Sequence, residues 1–277
     1  MKHFSLFLIL FVGATQVKSQ VNLKKLKTHY ENTNCTESAP YFDGIQWWKD
    51  LASQTNQVTV TEFGLTDAGY PLHVITLSKQ RMELKELGNS VKTILLINNA
   101  IHPGEPDGVD ASMMFYRDVL NKHHALLDSC IVVCIPYYNI GGALNRSATS
   151  RANQDGPIEY GFRGNAQNLD LNRDFVKCDS RNARSFAKLL QLIDPDVYVE
   201  THVSNGADYQ YNITYLSTQP DKLGYVMGDY LRQSFNPGLE KLMEQKEQAM
   251  VPYVNHHSGP LKNSYSTFYD SPRSSSG

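Results

Sequence analysis

Hydrophobic and polar positions alternate with a period of two over Val58-Thr59-Val60-Thr61-Glu62-Phe63 and again over Leu72-His73-Val74-Ile75-Thr76-Leu77, the rhythm of half-buried strands. Turn residues fill Gly64 to Pro71, so the two segments predict a β-hairpin with His73 on its polar, solvent-facing side. Two runs are mainly apolar: Thr93 to Ile101, and Ile131-Val132-Val133-Cys134-Ile135, which Pro136 stops. Such runs suit strands buried on both faces. A period near 3.6 over Asp107 to Leu120, with Val109, Met113, Met114, Tyr116 and Leu120 inward, predicts a helix whose Met pair fills core. A second helix is expected over Ser180 to Leu192, ended by Asp194-Pro195, and a strand over Asp196 to Thr201. Tyr209 to Tyr215 alternates like another strand, and Leu223–Phe235 and Leu239–Met250 look helical. Residues 20–57 form a polar, helical lead-in with Trp47 and Trp48 as packing anchors. Strands alternating with helices predict an α/β fold whose sheet is covered on both faces.

One stretch breaks the pattern. From Tyr137 to Cys178 no period emerges, and Gly, Asn, Arg and Asp dominate. A segment of about forty residues without regular structure is uncommon inside a compact domain and is usually functional or disordered. Its density of arginines and amides favours function.

Composition narrows the class. With 41% hydrophobic and 19% charged residues over 277 positions, the chain can bury one large core. No repeat or linker divides residues 20–277, which are expected to form one domain. A formal charge of −2 argues against a nucleic-acid partner held by bulk electrostatics. The N-terminus follows the export pattern: Met1-Lys2-His3 is basic, Phe4 to Val12 is apolar, and Val17-Lys18-Ser19 permits cleavage before Gln20. Residues 1–19 are therefore expected to be a signal peptide, and the mature chain secreted or periplasmic. No later run approaches spanning length, so no stable membrane anchor is expected. An oxidising compartment permits disulfides among Cys35, Cys130, Cys134 and Cys178, but the spacing fixes no pairing. Cys130 and Cys134 share one strand-like run and read as small buried side chains.

Candidate chemistry gathers at predicted strand ends. His102-Pro103-Gly104-Glu105 lies between the Thr93–Ile101 run and the following helix, and His202 lies just past the 196–201 strand. In open α/β sheets, ligands collect beyond the carboxyl ends of strands. Two His and one Glu would leave a fourth position open, as in catalytic rather than structural zinc sites. An ordinary turn with a capping acid is the alternative for the first motif. Asn168-Leu169-Asp170-Leu171-Asn172-Arg173-Asp174 offers acids, amides and a guanidinium fork that matches a carboxylate; a solvated loop with internal hydrogen bonds is the alternative there. His123 and His124, at a helix end, are accounted for by its terminal carbonyls.

These motifs, His102-Pro103-Gly104-Glu105, Asp170-Leu171-Asn172-Arg173 and Glu200-Thr201-His202 in this order, resemble the zinc carboxypeptidase family, which includes the pancreatic carboxypeptidases. The likeness runs from the hairpin near Val58 to the strand after His202. It implies a twisted mixed sheet with helices on both faces, a Zn2+ ion held by His102, Glu105 and His202, and a peptide or protein C-terminus as substrate. By the same resemblance Asn172 and Arg173 would hold the substrate carboxylate, and Asp170 would orient His102. Arg151 would stabilise the oxyanion, with Arg146 as the competing choice. The implied chemistry is metal-assisted hydrolysis.

The chain departs from that pattern at its C-terminal end. The family's general base is a glutamate on a late strand, whereas the last glutamate here is Glu247. Glu240, Glu244 and Glu247 suit the solvated face of a helix with intrahelical pairs, so no general base is assigned. Tyr253, Tyr265 and Tyr269 are candidates for the family's substrate-capping tyrosine. The sequence is expected to be a C-terminally incomplete family member. Three functions stay open: a carboxypeptidase, a binder of zinc and peptide C-termini without turnover, and an amidohydrolase acting on N-acyl amino acids.

Overall fold

The computed structural model describes residues 23–151, 156–204 and 211–253. The expected signal peptide, Tyr265, Tyr269 and the start of the 209–215 segment lie outside them. Along the chain come α1 (His29–Asn32), α2 (Tyr41–Gln54), β1 (Val58–Leu65), β2 (Pro71–Leu77), α3 (Leu84–Leu87), β3 (Thr93–Asn98), α4 (Asp107–Lys122) and β4 (Cys130–Ile135). There follow α5 (Ile140–Leu144), α6 (Arg181–Ile193), β5 (Val197–Glu200), β6 (Ile213–Tyr215), α7 (Gly224–Tyr230), a π-turn over Leu231–Phe235, α8 (Asn236–Glu244) and β7 (Met250–Pro252).

Five strands form one mixed sheet in the order β1-β2-β4-β3-β5. The β1–β2 and β2–β4 pairs are antiparallel, and β4–β3 and β3–β5 are parallel. The two faces follow from the period of a strand, which sends successive side chains to opposite sides. Ile75, Leu77, Val132 and Cys134 pack on one side with Trp47, Trp48 and Leu51 of α2 and Val109, Met113 and Tyr116 of α4. Val74, Ile131, Val133 and Ile135 pack on the other with Leu84 and Leu87 of α3 and Phe186, Leu189 and Ile193 of α6. The sheet is thus sandwiched, as the pattern predicts.

Helix α6 has clear signals at both ends. The Ser180 hydroxyl accepts the Ala183 amide at 2.9 Å, and Asp194 takes a left-handed conformation (φ 44°) ahead of Pro195. Ser180 to Leu192 is therefore read correctly from sequence.

Several expectations need correction. His73 is not at the surface: it is 6% exposed, with Tyr41 Oη 3.4 Å from its Nδ1. Tyr41 of α2 packs over the His73 face of β2, and burial lowers the His73 pKa. Of the Met pair, Met113 is fully buried, whereas Met114 stays half-exposed. Among the described residues between Tyr137 and Cys178 the chain is mostly irregular but includes the short helix α5 and a 3-10 turn over Leu171–Arg173. The two C-terminal helices are one run from Gly224 to Glu244, and Met250 belongs to β7. Pro237 lacks an amide hydrogen and would crowd the carbonyl one turn back; the wider π-turn just before it absorbs that mismatch. Glu240 accepts a hydrogen bond from Tyr215 at 2.5 Å, a tertiary partner in place of an intrahelical one. Cys35, Cys130, Cys134 and Cys178 are all free thiols.

Candidate metal centre

Strands β3 and β5 run parallel with Asn98 opposite Glu200, so their carboxyl ends open on the same side. Past β3, Ala100 adopts a positive φ of 55° and its carbonyl accepts the Asn139 amide at 3.1 Å. This bend lifts His102 over the strand end. The turn closes where the Glu105 amide donates to the His102 carbonyl at 2.8 Å, bringing both side chains to one side. Past β5, the Thr201 hydroxyl donates to Asn99 Oδ1 at 2.8 Å and the Val203 amide donates to Glu105 Oε2 at 3.1 Å. Gly108 makes this possible: a Cβ there would collide with Thr201.

The three predicted ligands converge. His102, Glu105 and His202 each offer a donor atom, and these atoms lie within 4.8 Å of one another. His102 Nδ1 is 3.3 Å from Glu105 Oε1, and His202 Nδ1 is 2.7 Å from Glu105 Oε2. Ligands about 2.0–2.1 Å from a tetrahedral zinc sit roughly 3.4 Å apart. The 3.3 Å His102–Glu105 separation has that scale, the 2.7 Å His202–Glu105 contact is a hydrogen bond, and a His–Glu–His set is chemically suited to zinc. His102 and Glu105 are buried, while the His202 side chain is 32% exposed. The residues present fit a zinc ion.

Each imidazole rests on a carboxylate on its far side. His102 Nε2 donates to Asp170 Oδ1 at 3.0 Å, and Arg163 grips the other Asp170 oxygen from Nε and Nη2 at 3.1 and 2.9 Å. His202 Nε2 donates to Glu200 Oε1 at 2.6 Å. Arg151 is buried and its Nη1 donates to Glu105 Oε1, lying across Gly104, where a Cβ would strike it. Arg146, the competing choice, points away and donates to the Ser38 and Glu159 carbonyls. The Asn172 amide nitrogen is 3.4 Å from His202 Nε2, and Arg173 is exposed beside it, bonding the Asn172 carbonyl at 2.6 Å.

Two residues in this cluster escaped the sequence: Arg163, whose Nη1 is also 3.3 Å from His102 Nδ1, and Glu200 as a partner of His202. Arg163 sits in an aperiodic loop, so no pattern marks it. Glu200 had a cue, since it and Tyr198 share one face of β5 two residues apart.

Electrostatics bind the cluster together. Burial alone would raise the Glu105 pKa, but hydrogen bonds and charge from His102 and His202 hold it well below the usual carboxylate range. Asp170 is likewise pushed up by burial and pulled further down by His102 and Arg163. For His202, burial opposes the charged form, yet Glu105 and Glu200 outweigh it and raise the pKa to about 9. Both His202 ring nitrogens thus face carboxylates, an arrangement that favours the imidazolium.

The sequence profile described as Zinc carboxypeptidase matches residues 44–265. A metallo-carboxypeptidase from Burkholderia cenocepacia superimposes with a TM-score of 0.55 at 17% identity, over 74% of this chain and 51% of that one. A metallo-carboxypeptidase from Pseudomonas aeruginosa, in complex with (2-guanidinoethylmercapto)succinic acid, gives a TM-score of 0.56 at 13% identity, covering 79% and 52%. Bovine thrombin-activatable fibrinolysis inhibitor, in complex with tick carboxypeptidase inhibitor, gives 0.57 at 15% identity, covering 78% and 76%. At such identities the likeness is one of fold. The chain spans about half the length of the bacterial structures it resembles. Among curated proteins, no sequence matches it.

Proposed function

The chain belongs to the zinc carboxypeptidase family, and from that membership we propose that it is an exported zinc-dependent carboxypeptidase domain, hydrolysing the last peptide bond of a peptide or protein. Export rests on the signal-peptide pattern of residues 1–19; no helix among the described residues is long and apolar enough to cross a membrane. The observation that carries the proposal is the meeting of His102, Glu105 and His202 beside Asn172 and Arg173.

His102, Glu105 and His202 would hold the ion and leave a fourth position open. When bound, zinc supplies Lewis acidity, polarising a scissile carbonyl and making water nucleophilic near neutral pH. The remaining work falls to side chains. Asp170, braced by Arg163, keeps the proton of His102 on Nε2 and so offers Nδ1 to the metal. The Nε2 proton of His202 is committed to Glu200, so the Asn172 amide keeps its own hydrogens for a ligand. With the exposed Arg173 fork it forms a clamp for a terminal carboxylate. Arg151, beside Glu105, is the proposed oxyanion donor. Hydrolysis forms a C–O bond and breaks the C–N bond, and the proton taken from water leaves with the amine.

One observation favours a second reading, binding without turnover. Among the described residues, the carboxylates bonded to the imidazoles are Glu105, Asp170 and Glu200, and each is committed to them. None is free to take the proton of water. Metal analysis of the purified chain, paired with assays on blocked dipeptides and N-acyl amino acids, separates the possibilities. Zinc with peptide turnover supports the carboxypeptidase, zinc without turnover the binder, and turnover of acyl amino acids alone the amidohydrolase. His202→Ala should abolish stoichiometric zinc; unchanged occupancy would remove it from the ligand set.

A further inference from the structure

His202 has a carboxylate on each ring nitrogen: Glu105 at Nδ1 and Glu200 at Nε2. Glu200 closes β5, its side chain is only 11% exposed, and its second oxygen accepts the Tyr198 hydroxyl at 3.2 Å. The Tyr198 oxygen in turn accepts the Asn98 amide at 3.0 Å from the neighbouring strand. Asn98 and Glu200 are register partners, so sheet pairing itself fixes the carboxylate. Glu200 lies across the imidazole from the point where the donor atoms converge. The ring stands between them, which removes Glu200 as a candidate to take a proton from water there.

A neutral imidazole carries its proton on either nitrogen, and only the bare one binds a cation. Asp170 settles that choice for His102. For His202 two neighbours compete at Nε2: Glu200, which can only accept, and the Asn172 amide nitrogen at 3.4 Å, which can only donate. Were Asn172 alone there, it would favour a bare Nε2 and a protonated Nδ1, the tautomer that cannot hold the metal through Nδ1.

We infer that Glu200 is a positioning residue that overrides Asn172 and commits His202 to presenting Nδ1, as Asp170 does for His102. The inference deepens the zinc-binding function proposed above and rests on it. Zinc affinity of the full chain, measured by competition with a chromophoric chelator at pH 9, where protons compete little for an imidazole, tests it. Glu200→Ala should weaken zinc binding about 10–100-fold, the range for lost partners of metal-bound histidines. Glu200→Gln keeps an acceptor oxygen and should stay within about threefold of the wild type. Adding Asn172→Ala to Glu200→Ala should recover part of the loss, a rescue that damage to the fold would not give. If Glu200→Ala binds zinc like the wild type, or Glu200→Gln loses as much as Glu200→Ala, the positioning role is overturned while the zinc site stands. A wild-type chain that binds no zinc overturns both.

Discussion

A zinc ion entering the proposed centre would have to evict a proton. The perturbation is pH, and the group that responds is His202, whose pKa stands at about 9 between Glu105 and Glu200. At pH 7 the ring is almost wholly protonated, so coordination through Nδ1 requires its deprotonation. Two pH units below that pKa the penalty is at most about 100-fold, or ~2.7 kcal/mol. With the side chain 32% exposed, solvent screening brings it to a few tens-fold. Glu105 and Asp170 are already ionised and add no proton of their own. Calorimetric titration of metal-free chain with zinc, in buffers of different ionisation enthalpy, should therefore show about one proton released at pH 7 from this ring. The apparent affinity should climb close to tenfold per pH unit from about 6.5 to 8.5 and flatten above about 9. Zinc uptake with no proton release, or an affinity flat across that window, would refute the charged His202.

Arg173→Ala should raise the KM for peptides by at least about tenfold, the value of one charge-assisted hydrogen bond, while leaving zinc content unchanged; equal zinc loss would count against the clamp. Gly108→Ala should drive a methyl into Thr201, cost about 1–3 kcal/mol in chemical denaturation and weaken zinc binding through the displaced His202. Arg117 grips Glu31 through two hydrogen bonds of 2.6 and 2.7 Å and lowers its pKa to about 2, tying the segment around α1 to α4. Glu31→Gln should cost about 2 kcal/mol at neutral pH. Because the folded pKa is depressed, that contribution is present above about pH 4.5 and disappears as pH falls through about 2, so wild type and variant should converge in acid melts.

The sheet was legible because its strands obey simple rules: Ile131 to Ile135 is apolar on both sides and is covered on both. His73 misled for the same reason in reverse. Its polarity suggested an open face, but α2 brings Tyr41 over it, and long-range covering is invisible in a local pattern. The segments Leu223–Phe235 and Leu239–Met250 looked separate, because a π-turn that carries a helix through Pro237 has no sequence mark. At the centre, the proposed ligands could be picked out by their strand-end position. Arg163 and Glu200 serve other side chains rather than a ligand, and such service depends on which loops meet in space.

The pairing of β3 with β5 has a consequence for how the chain reaches its final shape. Sliding one strand by a single residue would carry His202 about 3.3 Å along the sheet and turn the Tyr198–Glu200 face over. A chain mispaired in that way would have lost its grip on the ion. Zinc present during refolding would then act as a gauge of alignment, drawing molecules toward the one pairing that can hold it.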